Sequence, residues 1–229
     1  MEKTRLSKRL ETVAGFVPEG ARLVDVGSDH AYLPLFLVEA GKIDYAVAGE
    51  VVRGPFESAL SNVQEAGQAS NIQVRLANGL AAVEDQDQIT AVTIAGMGGR
   101  LVAAILEDGQ DKLKGVERLI LQPNNREDDV RMWLQEHDYQ LVAEAILEEN
   151  EKIYEILVAE PGEMTLSAKE LRFGLYLQQE GTTIFQKKWQ SERSKLSWAL
   201  DQVPETHRSD RSAISQKIKD IDEVLHESK

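Results

Sequence analysis

Leu23-Val24-Asp25-Val26-Gly27-Ser28-Asp29-His30-Ala31-Tyr32-Leu33-Pro34 decides how the rest of the chain is read. Its first residues form an apolar β-rich run, Gly27 to Asp29 supply turn chemistry, and an apolar helical pattern follows. Glu50 stands 23 residues after Gly27, at the close of the next β-rich run. Strand, tight turn, helix and a terminal acid on the second strand describe a nucleotide-like cofactor lying across the carboxyl edge of a parallel sheet. Its ribose is held by the carboxylate.

Working outward, strands are expected at residues 22–26, 44–49, 72–76, 90–95 and 117–121, with helices between them at 33–40, 54–66, 99–107 and 126–136. An amphipathic helix at 3–15, carrying Leu6, Leu10 and Val13, precedes them. This alternation implies right-handed βαβ units and a parallel sheet covered on both faces. After residue 137 two β-rich runs, 140–147 and 152–159, are joined by Glu148-Glu149-Asn150-Glu151 with no helix between them, which predicts a hairpin. A dinucleotide-binding dehydrogenase adds its sixth strand through another crossover helix. A hairpin closing the sheet matches the Rossmann-like class I methyltransferase layout instead.

Pro161-Gly162 marks a boundary, giving a domain at 1–162 and a helical appendage at 163–229. Leu171, Leu175, Gln178, Thr182, Phe185, Trp189, Glu192, Leu196 and Ala199 keep a 4-3 spacing, as do Ile214, Ile218, Ile221 and Leu225 beyond Pro204. Two antiparallel helices of coiled-coil type are expected, with a bend at Gly181.

The 229 residues, 42% of them hydrophobic, are enough for a buried core. The absence of cysteine excludes disulfides, thiolate metal sites and a cysteine nucleophile, and a reducing cytoplasm fits. No run approaches the roughly 18 to 20 apolar residues of a membrane span. His30, His137, His207 and His226 show no metal-ligand spacing, so no metal is expected. The net charge of −13 opposes a polyanionic partner at first sight, yet it divides as +1 over residues 1–19, −15 over 20–164 and +1 over 165–229. Lys3, Arg5, Lys8 and Arg9, and the Lys187, Lys188, Arg193, Lys195 cluster, are therefore available to meet phosphate, unless they are solvated helix faces.

At the turn, the acidic-x-Gly-x-Gly-x-Gly loop usual for methyltransferases is represented by Asp25, Gly27, Asp29 and Ala31. A dinucleotide fingerprint from Gly27 would need glycine at Asp29 and Tyr32, and Asp29 would repel a diphosphate. The ammonium of S-adenosyl-L-methionine suits Asp25 and Asp29 better. Ser28, His30 and Tyr32 share the turn. Glu50 faces ribose, Asn78-Gly79 after the third strand faces adenine, and Ala95-Gly96-Met97-Gly98 after the fourth borders the methyl group.

Asp25-Val-Gly-Ser-Asp-His-Ala-Tyr-Leu-Pro34, Gly49-Glu-Val-Val-Arg-Gly-Pro55, Asn78-Gly-Leu80, Ile94-Ala-Gly-Met-Gly-Gly99 and Leu121-Gln-Pro-Asn124 together resemble the bacterial tRNA (adenine22-N1)-methyltransferases of the TrmK family. The resemblance runs over essentially the whole chain. It implies S-adenosyl-L-methionine, with S-adenosylhomocysteine as product, a tRNA substrate, a cytoplasmic enzyme, and methyl transfer to a ring nitrogen; the protein is expected as a monomer or weak homodimer. In keeping with that chemistry, Gly-Met-Gly-Gly replaces the Asn/Asp-Pro-Pro-aromatic box with which exocyclic N6 enzymes grip the amine.

Adenine N1 carries an in-plane lone pair, so the task is to flip the base and align N1 with the methyl group. Asp29 is the expected catalytic residue, accepting or orienting the N6 group; holding the cofactor ammonium is an equally weighted role for it. Arg5, Arg9, Asn124 and Arg126 are expected on the substrate side. The helical hairpin would lie along an RNA arm by shape and phosphate contact, and a competing expectation makes it a dimerisation element through Trp189 or Trp198. A small-molecule methyltransferase, which would turn over without tRNA, and a non-catalytic S-adenosyl-L-methionine-binding protein are the rival functions.

Overall fold

Residues 4–227 are described by the computed structural model; Lys3, counted above among the N-terminal cations and as the start of the first helix, lies outside them. The apolar runs form a seven-stranded sheet in the order β3-β2-β1-β4-β5-β7-β6. Its strands are β1 (Arg22–Val26), β2 (Tyr45–Glu50), β3 (Ile72–Leu76), β4 (Ala91–Met97), β5 (Arg118–Pro123), β6 (Tyr139–Glu149) and β7 (Lys152–Pro161). The first five are parallel, and β7 enters antiparallel beside β5. Strand order reverses between β1 and β4, where an open parallel sheet leaves its ligand crevice.

Alternate residues of each central strand point to opposite faces. Val24, Val26, Ile94, Leu119 and Leu121 pack under α4 (Gly99–Asp108) and α5 (Glu127–Glu136) through Val102, Leu106, Val130 and Leu134. Leu23, Ala46, Ala48 and Ile120 pack under α1 (Lys8–Phe16), α2 (Tyr32–Glu39) and α3 (Arg53–Glu65) through Val13, Leu33, Leu37, Ala59 and Val63. Burial on both faces explains why these strands read as unbroken apolar runs rather than alternating ones.

Helix α1 begins at Lys8, later than the expected residue 3, because the Ser7 side chain accepts from the Leu10 N–H and caps it there. The Lys8 N–H donates to Glu149 Oε1 at 2.6 Å, tying the helix start to the hairpin tip. The hairpin turns at Asn150 (φ 49°) and Glu151 (φ 63°), with Glu149 paired to Lys152. Two consecutive left-handed residues match the right-handed twist of the flanking strands.

The expected long helix from Leu171 to Ala199 is broken into α6 (Ala168–Phe173), α7 (Leu177–Glu180) and α8 (Thr183–Gln202). Gly174 (φ 89°) and Gly181 (φ 54°) end α6 and α7, and Thr182 caps the start of α8. Helices α8 and α9 (Arg208–Glu227) fold back on each other across residues 203–207. Phe173, Leu177, Phe185, Trp189, Ile221 and Val224 form their core, against which Ile146 of β6 packs. Trp189 is thus internal to the chain, whereas Trp198 is 68% exposed.

The cation cluster on α8 finds partners that sequence spacing does not show. Lys188 Nζ lies 2.7 Å from both Glu127 and Glu155, Lys187 pairs with Glu148, Arg193 with Asp222, and Lys195 with Glu192. Fully buried Arg131 of α5 joins Glu144 of β6 and Glu155 of β7 at 2.6 and 2.7 Å. This network bolts α8 to the sheet.

Candidate active site

The end of β1 holds Asp25 4% exposed, with Ser28 Oγ and Thr93 Oγ1 each donating to its carboxylate at 2.6 Å. Burial pushes its pKa up, opposed by those two hydroxyls and by the charge of Arg9. Beyond it the chain turns sharply. Gly27 has φ 68°, and its N–H and that of Ser28 both donate to Gly49 O. The positive φ is what calls for glycine here; an added Cβ would meet only the mobile end of the Met97 side chain.

Asp29 (φ 43°), His30 (φ 70°) and Ala31 (φ 60°) continue in the left-handed region. Asp29 and Ala31 occupy the second and third glycine positions of the usual methyltransferase loop. The Asp29 N–H donates to Glu50 Oε1 at 2.5 Å, and Asn62 Nδ2 donates to His30 O at 3.0 Å. The Asp29 side chain itself is 84% exposed, with His30 Nε2 3.4 Å from its Oδ1 and the Tyr32 ring 5.4 Å from the His30 ring. Glu50 is nearly buried, and its pKa is raised by burial first and by Asp25 and Asp29 as like charges.

Asn78 and Gly79 border a cavity of about 380 Å³ whose other wall is Leu101, Ala104, Ile105 and Asp108 of α4. The apolar α4 wall was missed from sequence. Its signal in the sequence was the apolar spacing of Leu101, Ala104 and Ile105 along an amphipathic helix.

At the fourth strand end Ala95 and Met97 are half-buried and Gly96 is exposed, with a register shift between Ala95 and Met97 in the pairing to β5. Gln122, fully buried at the end of β5, accepts on Oε1 from both Gly96 N–H (3.1 Å) and Arg9 Nη1 (2.5 Å). Asn124 Nδ2 donates to Gly96 O at 2.7 Å. Gly98 caps α4, and Gly99 N–H donates to Asn125 O at 2.9 Å. Sequence analysis did not single out Thr93, and it gave Gln122 no role of its own, because their contacts lie between strands.

Of the expected substrate residues, Arg9 turns inward to Gln122 and lies 5.5 Å over the Tyr154 ring. Asn124 stands at the β4–β5 edge. Arg126 is exposed but its guanidinium is turned to Asp129 (2.5 Å) and Asp128 (3.2 Å) of its own helix. Arg5 lies exposed on the segment leading into α1. Among the described residues no group of three or more His, Cys, Asp or Glu is arranged to hold a metal ion.

The fit of a cationic nucleoside follows from the donor set. Asp25 and Glu50 present acceptors, and burial raises the pKa of both, a cost that a ligand ammonium and ribose hydroxyls would relieve.

The family model for tRNA (adenine(22)-N(1))-methyltransferase, TrmK, matches residues 23–223. The tRNA (adenine(22)-N(1))-methyltransferase of Bacillus subtilis is 44% identical over 228 residues, 96% of this chain and 94% of that one. Among solved structures, Streptococcus pneumoniae Sp1610 in complex with S-adenosyl-L-methionine superposes with a TM-score of 0.92 at 59% identity, covering 97% of this chain and 100% of that one. TrmK of M. capricolum with S-adenosyl-homocysteine superposes with a TM-score of 0.90 at 27% identity, covering 98% and 99%.

Proposed function

This chain belongs to the TrmK family of tRNA (adenine(22)-N(1))-methyltransferases, and we propose how its residues carry that activity. It is an S-adenosyl-L-methionine-dependent enzyme whose substrate is tRNA. The cofactor supplies an electrophilic methyl group on a sulfonium. Asp25 and the 27–31 turn hold its amino-acid end, Glu50 accepts from its ribose, and the Asn78–α4 cavity takes the adenine. The adjacency of Asp25, Asp29 and Glu50 at the carboxyl ends of β1 and β2 is the observation that carries this assignment.

Asp29 is the catalytic carboxylate. Its backbone N–H is fixed by Glu50 while its side chain stands in solvent with His30 beside it, so it is anchored yet free to meet the N6 group of a flipped adenine. The 95–98 loop and Asn124 form the opposite wall. Because N1 is already a nucleophile, alignment and water exclusion are the main tasks of this wall.

Residues 1–162 form the catalytic domain and 163–229 the RNA-facing unit, with exposed Arg5, Trp198 and the outer face of the hairpin as contact surfaces. Arg126, held by Asp128 and Asp129, positions the α5 start beside the base. We assign the enzyme to the cytoplasm, acting as a monomer or weak homodimer. Incubation with labelled S-adenosyl-L-methionine and unmodified tRNA, followed by nucleoside analysis, should give 1-methyladenosine at position 22. Asp29→Ala should lower kcat with little change in cofactor affinity; unchanged kcat with lost cofactor binding would restrict Asp29 to the cofactor.

A further inference from the structure

Gln122 is fully buried at the sheet edge, a costly place for a primary amide unless every polar atom is satisfied. It is satisfied on both sides. Its Oε1 accepts from Gly96 N–H and Arg9 Nη1, and its Nε2 donates to Pro123 O at 3.0 Å and to Asn124 Oδ1 at 3.1 Å. Two donors on one end and two acceptors on the other leave a single amide orientation. Asn124 is then oriented in turn: its Oδ1 faces Gln122, its Nδ2 donates to Gly96 O at 2.7 Å, and its backbone N–H donates to Met97 O at 2.7 Å. The ring of bonds closes on the three residues 95–97.

Arg9 approaches this ring from a different layer of the fold. It belongs to α1, whose first turn is tethered to the hairpin by Glu149. Its guanidinium passes over Tyr154 and ends against Gln122, 3.6 Å from where a Cβ on Gly96 would lie. This seat points the Arg9 head group into the fold and commits one of its guanidinium N–H donors to Gln122. It fixes the outer boundary of the β4 edge.

We propose that Gln122, with Arg9 seated on its carbonyl oxygen, is a positioning pair for methyl transfer, holding residues 95–97 and Asn124 as one rigid wall of the base pocket. The proposal rests on the site assignment above. Neither residue touches the reacting atoms; they act through Gly96, Met97 and Asn124. A wall displaced by about 1 Å misaligns N1 with the methyl group without removing any cofactor contact, which places the loss in the chemical step.

The test uses full-length Arg9→Met, Arg9→Ala and Gln122→Glu, with steady-state kinetics on unmodified tRNA, calorimetric S-adenosyl-L-methionine binding and thermal melts. Gln122→Glu keeps the acceptor for Arg9 and Gly96 but loses both donors, so it releases Asn124 Oδ1 and Pro123 O while leaving the Arg9 seat in place. Both Arg9→Met and Gln122→Glu should lower kcat at saturating tRNA by about 10- to 100-fold, with the KM for tRNA and the cofactor Kd each within about threefold of wild type. Ethylguanidinium added to Arg9→Ala should restore part of the lost kcat, which a purely structural role would not allow. An unchanged kcat with a raised tRNA KM and a shallower salt dependence would make Arg9 an RNA phosphate ligand and overturn the proposal. So would a fall in kcat that merely follows a fall in Tm and resists guanidinium. Failure of the wild-type enzyme to form 1-methyladenosine would instead sink the site assignment, and this proposal with it.

Discussion

Gly98 and Gly99 are adjacent in sequence and should respond in opposite ways to the same added methyl group. A Cβ on Gly99 would lie 2.7 Å from Asn125 O and 2.8 Å from Arg126 C, and closer still to Arg126 O. These are backbone atoms, so no rotamer change relieves the overlap; the β5–α5 loop must retreat from α4. That retreat stretches the 2.9 Å bond from Gly99 N–H to Asn125 O, worth about 1 kcal/mol, on top of about 1–3 kcal/mol for overpacking. Alanine's better helix propensity returns under about 1 kcal/mol. The net loss for Gly99→Ala is about 1–3 kcal/mol, or about 3–10 °C in Tm for a chain of this size. A Cβ on Gly98 meets only Asn125 Oδ1 at 3.3 Å, the end of a side chain that can rotate, and the backbone there (φ −69°, ψ 144°) suits any residue. Gly98→Ala should therefore cost less than about 1 kcal/mol, chiefly the weaker helix cap. Melts followed by circular dichroism measure both, and kcat on tRNA should fall further for Gly99→Ala, which displaces the loop carrying Asn124, than for Gly98→Ala. Equal damage from the two substitutions, or an unshifted Tm in Gly99→Ala, would refute the close approach of the two loops.

Glu50→Gln keeps an acceptor for the Asp29 N–H but loses the anionic bond to ribose, so the cofactor Kd should rise about 10-fold by calorimetry; Glu50→Ala, which also frees the turn, should be weaker still. Asp25 is held above its ordinary value of 3.8 by burial, so folding opposes its ionisation: the apo protein loses stability as pH rises from that value through the raised one, and Asp25→Asn should remove that loss in melts taken across the range. Over the same window cofactor affinity should climb and then level, because the ligand ammonium favours the carboxylate. Arg131→Met leaves Glu144 and Glu155 buried without their shared cation and should cost about 3–5 kcal/mol in denaturant melts. Glu155 is held below its ordinary value by Lys188 and Arg131 against the opposing effect of burial, so the stability it contributes is present above 4.5 and disappears as pH falls through the lowered value.

The parallel strands were legible because each is buried on both faces, and an apolar run of about five residues between turn signals has few other uses. The hairpin was legible from two β-rich runs without room for a helix. What local pattern could not show was partnership across the chain. Lys188 and Arg193 look like a basic face in sequence, and only the fold brings Glu155 and Asp222 to them. Gln122 stands in sequence only as part of Leu121-Gln-Pro-Asn124, and its contacts exist only once β4 and Arg9 are beside it. The helix break at Gly174 escaped because Leu171 and Leu175 keep helical spacing straight through it. The break follows from tertiary contact: Glu144, which also holds Arg131, accepts the Tyr176 N–H at 2.8 Å and pulls the chain out of register there.

The turn after β1 shows how a site residue can replace a glycine without changing the loop. Asp29 and Ala31 stand where glycines were sought, and both adopt the left-handed conformation that glycine takes at no cost. Each such residue costs about 1–2 kcal/mol, and His30 between them adds a third. The offsetting contacts are specific: Glu50 on the Asp29 N–H, Asn62 on His30 O, and Gly49 O shared by the N–H groups of Gly27 and Ser28. Strain maintained by neighbours in this way is spent on position. The Cβ that a glycine would lack carries a solvent-exposed carboxylate, and Glu50, the proposed ribose acceptor, fixes the backbone beneath it. On the proposed assignment, cofactor loading and the placement of Asp29 are coupled through one side chain, so a ligand that draws Glu50 toward its ribose should also shift the Asp29 carboxylate.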